Sequence, residues 1–504
     1  MKIQWSLFAM KHCLMLVMIL ITTCLGAKTL QKNGAIRSAP LPTPSAQATL
    51  PNTPLPPTVL QSLKAAEIPT TSLSVLVQEV PKERTLQGEW IQEPPRLAHL
   101  ATQMRTPASL MKLVTTQAAL DLLGPSYMWK TSIYTTGALQ PSGTLTGDVI
   151  IRGGLDPKLT IEGATHLLQR LKGLGVQKIQ GDFIIDKGIL ESSARDPGQF
   201  DGEPLKAYNV VADALLINFN ALLMTITPDP LSSVAHVMLE PPLEGVNYTK
   251  QIPLSNASCT DYRKELNADF SKPLSIILQG SYSKNCGQRV WPMAFARPKE
   301  YTQRALAGLW RSLGGQITGE FKLGSLPQNA SLLWSENSLP LSDVIKDMNK
   351  YSNNVMAQHL FLTLSLETPT GASENGSREL VQRWWRERVS ALPMQIEQGS
   401  GLSREDRISA QGLAELLAYA WLSPFMPEVL ASLPISGVDG TLKRRQNAGL
   451  GHLKTGSLRD VNAVAGYVQG ADQRRYILVA LINDPKAREG QGVLDSLIQW
   501  AANP

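Results

Sequence analysis

Ser109 and Lys112 stand three residues apart in RTPASLMKLVTTQAALDLLGP (105–125), where apolar residues recur at helical spacing. A serine hydroxyl is a poor nucleophile until a nearby base takes its proton. On a helix, positions i and i+3 share a face, so the Lys112 amine can reach the Ser109 hydroxyl. Lysine serves as a base only when neutral, which requires burial or a cationic neighbour. Lys454, in Lys454-Thr455-Gly456, is such a neighbour, and Ser352-Asn353-Asn354 opens a further helical pattern. Together these residues can cut an amide. Ser109 would attack the carbonyl, Ser352 would relay a proton to the leaving amine, and Asn354 would fix Lys112 and the substrate amide. Lys454 and Thr455 would hold a negative group, most simply a terminal carboxylate. Gly456 would leave room for a ligand along its strand. Backbone N–H groups of Ser109 and Ser457 would receive the oxyanion.

No single piece is specific. S-x-x-K recurs at Ser281–Lys284 in turn-like sequence, and S-x-N recurs at Ser283–Asn285, Ser335–Asn337 and Ser373–Asn375. Ser352 also fits a helix N-cap. K-T-G occurs once. Specificity comes from the order and setting of the three motifs, which match a known catalytic constellation. The six histidines form no H-E-x-x-H pattern, and His359 on an apolar helix reads as core or surface. Glycine-rich nucleotide fingerprints are absent from the sequence. Neither a metal nor a cofactor is implied.

Elements must bring these motifs together. Thr106 and Pro107 start the nucleophile's helix, and Gly124-Pro125 stops it. Residues 72–80 read as a strand and 83–90 as its hairpin partner. From about 127 to 326 the texture is short strands and turns, with a helix over 298–315. Helices dominate from Leu339, and two apolar strands (VNAVAGYVQG, RRYILVALIND) precede a last helix ending at Trp500. The pattern predicts an α/β catalytic domain made of 61–126 and 330–504. A β-rich insert, 127–329, interrupts it with length for two nested domains.

The start of the chain bears on the compartment. Lys2 and Lys11 precede an apolar run over 13–27 that ends in small residues, so 1–27 reads as a secretory signal. A retained anchor or a lipid-modified Cys24 is the alternative. Residues 28–60, rich in Pro, Ser and Thr, read as a linker. Export leaves Cys259 and Cys286, expected to form one disulfide; two free thiols in a reducing compartment are the alternative. A net charge of +6 over 504 residues favours an anionic polymer such as cell wall. Lysines and arginines form no block suited to nucleic acid.

TPASLMKLVTTQAALDLLG, GDVIIRGGLDP, YSNNVMAQ, GSGLSREDRISA, LPISGVDGTLKRR and HLKTGSL occur in that order. In these stretches the chain resembles the D-alanyl-D-alanine carboxypeptidase/endopeptidase group of low-molecular-mass penicillin-binding proteins (class C, peptidase family S13). The resemblance implies a penicillin-recognising (DD-peptidase/β-lactamase-like) α/β domain with β-rich inserted domains. It implies hydrolysis of peptidoglycan stem peptides in the periplasm, and covalent inhibition by β-lactams acting on Ser109. Peripheral membrane association stays open. Gln398 stands where relatives often have Asp, and Leu155 where they often have Gly. In some relatives an acidic residue of the insert faces the substrate's free amine; Asp201 and Glu203 are the candidates here. Ser400, Gly401 and Arg404 read as turn residues near the site. A serine β-lactamase, or a non-catalytic wall-binding or β-lactam-sensing protein, are the rival functions. The sequence carries no extra carboxylate motif for fast deacylation, and no set of membrane spans typical of sensors.

Overall fold

Val461–Gln469 and Arg475–Asn483 are apolar almost without interruption, as a sheet covered on both faces requires. They are the centre of a five-stranded antiparallel sheet in a computed structural model. It describes residues 50, 52–83, 93–190, 195–369, 371–445 and 450–504. The expected signal, most of the expected linker and nearly all of the expected 83–90 strand lie outside the described residues. In chain order the sheet comprises β1 (Leu73–Glu79), β2 (Leu97–His99), β3 (Gly451–Leu458), β4 (Val461–Gln469) and β5 (Arg475–Asn483). Their spatial order is β2-β1-β5-β4-β3. Leu73 lies opposite Ile482, so the two ends of the catalytic segment share one sheet.

Alternation along β5 divides the core. Tyr476, Leu478, Ala480 and Ile482 pack toward helices Pro57–Ala65 and Gln491–Ala502, while Ile477, Val479 and Leu481 pack toward the nucleophile's helix and Ala410–Trp421. The linker is shorter than expected, because 57–60 already belong to a helix. Proline begins it, and Val59 and Leu63 are buried against the last helix. Met111–Leu123 is buried on nearly every side, as befits a helix through the middle of a core.

The insert contains one sheet nested within another. Phe321–Leu323, Phe183–Asp186, Val149–Arg152, Lys130–Thr135 and Ser331–Asn337 form an outer sheet from both ends of the segment. Residues between them form a second sheet around Ala221–Asp229 and Val234–Glu240. Ser331–Asn337 pairs with Lys130–Thr135, which carries the insert past the expected limit of 329. Cys259 and Cys286 are joined, their Cα atoms 4.9 Å apart. Among the described residues no helix is long and apolar enough to cross a membrane.

Candidate active site

Ser109 sits in a single turn, Ala108–Leu110, that feeds directly into Met111–Leu123. Ala108 has φ +50°, a conformation that costs an alanine about 1–3 kcal/mol. Surrounding contacts hold it. The Asn483 amide accepts from Thr106 N–H at 2.8 Å and donates to Thr106 O at 3.1 Å. Gly401 lies so close that a Cβ there would meet Ala108 O at 1.9 Å. A Cβ on Gly456 would lie 2.7 Å from Pro107 O. Beside the expected clearance for a ligand, Gly456 therefore has a second reason. The glycine lets β3 approach the nucleophile's turn.

Lys112 is fully buried, and its Nζ donates to Ser109 Oγ at 3.1 Å, Asn354 Oδ1 at 2.7 Å and Ser400 O at 2.6 Å. Burial, reinforced by the nearby Lys454 charge, holds this amine well below the ordinary lysine range. Asp406 pulls the other way, but burial raises its own pKa to about 7. One Asp406 oxygen accepts from Glu397 N–H at 2.8 Å; the other has no hydrogen-bond partner among the described residues. Lys454, also fully buried, is lowered to about 7 by desolvation. Its Nζ donates to Ser352 Oγ and to Thr455 O, both at 2.8 Å. Ser352 has φ +56° and does not cap the following helix. Asn353 does, accepting from Met356 N–H at 3.0 Å. The Ser352 hydroxyl is thus left to Lys454.

Ser109, Ser352, Asn354 and Ser457 border a cleft of about 790 Å³, whereas Lys112, Lys454 and Thr455 lie behind its lining. Asp201 lies on its insert wall, bonded by Tyr208 Oη at 2.8 Å, Asn209 Nδ2 at 2.7 Å and Glu203 N–H at 3.1 Å. Those bonds hold Asp201 below the usual carboxylate range against the opposing effect of desolvation. Glu203 is exposed, does not border the cleft, and contributes its backbone to Asp201. Thr455 donates to Thr441 Oγ1 at 2.8 Å. Arg404 borders the cleft, stacked over Phe200 and ion-paired with Asp460. Ser400 and Gly401 act through backbone, as a carbonyl for Lys112 and as space for Ala108. His359 is core. Its ring nitrogens meet Val355 O and Asp213 O, at 2.7 and 2.9 Å. Gln398 is buried with its amide on Leu402 O. Leu155 is buried at φ +63°, where glycine would carry no strain. Among the described residues no group of three His, Cys, Asp or Glu could hold a metal ion.

Sequence reasoning missed Asp406, Tyr208, Asn483 and Thr441. Tyr208, Asp406 and Thr441 act on residues seven to fourteen positions away and Asn483 on one 377 away, and no spacing pattern signals any of these contacts.

The profile of the D-Ala-D-Ala carboxypeptidase 3 (S13) family matches residues 69–504. The D-alanyl-D-alanine carboxypeptidase DacB of Haemophilus influenzae is 25% identical over 75% of this chain and 80% of its own length. The D-alanyl-D-alanine carboxypeptidase of Actinomadura sp. strain R39 is 26% identical over 73% of this chain and 71% of its own. Among solved structures, penicillin-binding protein 4 of H. influenzae superposes with TM-score 0.69 at 22% identity, covering 88% of this chain and 99% of that one. The same protein is also solved in complex with a β-lactam. The fold is therefore that of penicillin-binding protein 4, and the chain belongs to the S13 family of D-Ala-D-Ala carboxypeptidases.

Proposed function

We propose that the chain cleaves D-alanyl-D-alanine ends and D-alanyl cross-bridges of peptidoglycan stem peptides in the periplasm, through an acyl-enzyme on Ser109. One observation carries this reading: two fully buried amines each lie within hydrogen-bond reach of a serine hydroxyl, Lys112 at 3.1 Å and Lys454 at 2.8 Å. Neutral Lys112 takes the Ser109 proton as Oγ adds to the carbonyl. Backbone N–H groups of Ser109 and Ser457 hold the oxyanion. Lys112 then yields the proton, and Ser352, poised by Lys454, hands it to the departing amine. Water enters by the reverse path, with Lys112 again the base, and frees Ser109. Thr455 and Lys454 receive the carboxylate of the leaving D-alanine, and Asp201 receives a free amine on the stem's side chain. A β-lactam presents the same carbonyl and carboxylate, so it acylates Ser109 and stays.

A β-lactamase would need a carboxylate free to activate water at the acyl-enzyme. Asp201, an acid on the cleft wall, already accepts three hydrogen bonds, which weighs against that role. The test is incubation of the purified protein with cross-linked muropeptides and identification of products by mass. Free D-alanine or monomers from dimers support the reading. Intact substrate together with rapid turnover of penicillin refutes it.

A further inference from the structure

The cleft continues beyond what a terminal D-Ala-D-Ala needs. The leaving amine must meet Ser352, so the other substituent of the attacked carbonyl runs the opposite way, past Ser457. There the β3 side of the cleft is lined by Leu458, Arg459, Val461, Asn462, Arg488 and Gln491. Neither the Arg459 nor the Arg488 guanidinium has a hydrogen bond or ion pair with any described residue. Asn462 is only 7% exposed, borders the cleft, and its side-chain amide is also without a partner among the described residues. Of the neighbouring acids, Asp460 is ion-paired with Arg404 and Glu67 with Lys486, while Glu489 beside Arg488 makes no ion pair with a described residue. The Asn462 amide opens onto the cleft, where a ligand can hydrogen-bond to it. Two guanidinium groups lining the same cleft favour an anion with in-plane acceptors, as a carboxylate has.

We propose that Arg459, Arg488 and Asn462 form a subsite for a carboxylate on the acyl-donor peptide, upstream of the residue whose carbonyl is attacked. In a stem peptide that group is the α-carboxylate left free when glutamate is linked through its γ-carboxyl. The subsite rests on the stem-peptide reading above, and it sets which wall chemistry the enzyme accepts. Stems amidated at that position lose the anion and bind less well.

Two pentapeptides ending in D-Ala-D-Ala test this, differing only in whether the γ-linked D-glutamate carries an α-carboxylate or an α-carboxamide. For the parent protein kcat/KM should favour the acid about tenfold, and added salt should shrink that ratio. In R459Q/R488Q the ratio should fall to near one. A parent ratio near one, or a ratio that persists in R459Q/R488Q, overturns the subsite. If the parent cleaves neither peptide, the stem-peptide reading itself falls. Thermal unfolding of the double variant reports whether it folds; if it does not, R459Q and R488Q singly must each lower the ratio.

Discussion

The same four-residue spacing occurs twice in this molecule with opposite results. Ser281–Lys284 lies in the insert, where Tyr282–Ser283 is a strand and Lys284–Cys286 a turn. Its lysine is exposed, and its neighbour Ser283 donates to Ala257 O at 2.6 Å. The chain is extended at 282–283 and turns only at 284, so Lys284 is not one helical turn from Ser281, and its amine stays in water. Ser109–Lys112 enters a helix at the centre of a core, and one turn carries the amine to the hydroxyl while burial, with the Lys454 charge, lowers its pKa well below the ordinary lysine range. The motif acquires chemistry from the helix and from the missing water.

The largest effect should come from exchanging residues between these two copies. Ser109→Ala should abolish covalent labelling by a fluorescent penicillin, and Lys112→Ala should slow acylation about 10⁴-fold. Ser281→Ala and Lys284→Ala should label as the parent does. Labelling that survives S109A and disappears in S281A would invert the whole comparison.

Next in size is the pH dependence, which only the buried copy should possess. Acylation needs Lys112 neutral, so its rate should rise with pH through the lowered pKa of that group. The Lys454 charge lowers this pKa and the Asp406 charge raises it. Lys454→Met should therefore move the acidic limb of the rate profile to higher pH, and Asp406→Asn should move it to lower pH. The sign follows from each charge: removing a cation makes protonation of Lys112 easier, and removing an anion makes it harder. Penicillin acylation rates measured around neutral pH decide it. Shifts in the same direction would show that Lys112 is not the titrating base.

Much of the site is legible in the sequence because three of its parts are local. Helical spacing predicts the Ser109–Lys112 contact, and K-T-G before two apolar strands predicts a short strand carrying Lys454, which lies at the edge of the sheet. What stays hidden is held by backbone or by distance. The Ser400 carbonyl is the shortest contact of Lys112, yet any residue has a carbonyl. Gly401 reads as a turn, while its reason is the Ala108 carbonyl nearly 300 positions earlier. Composition placed 57–60 in a linker because proline signals extended chain as readily as the first turn of a helix. The insert's end was misplaced by a strand whose partner lies roughly 200 residues away.

The smallest expected effect concerns a hydroxyl pair that ties two motifs together. Thr455 donates to Thr441, in a loop anchored to the Ser352 turn by Lys350, whose Nζ meets Asp439 Oδ2 and Leu433 O at 2.6 and 2.7 Å. Gly440 lies against the Lys350 carbonyl, where a Cβ would come within 2.5 Å. The loop therefore fixes where the Thr455 hydroxyl points relative to Ser352, two positions after Lys350. Thr441→Val removes the acceptor, keeps the shape, and should lower kcat/KM on a D-Ala-D-Ala peptide about fivefold, chiefly through KM. Thr441→Ser should restore it. In the insert, Ser283→Ala removes an equally good hydrogen bond and should cost only about 1 kcal/mol of stability, with acylation unchanged. Peptide kinetics set beside thermal unfolding distinguish the two. A T441V that melts early but cleaves normally would make its hydroxyl structural, like that of Ser283, and leave the carboxylate to Lys454 and Thr455 alone.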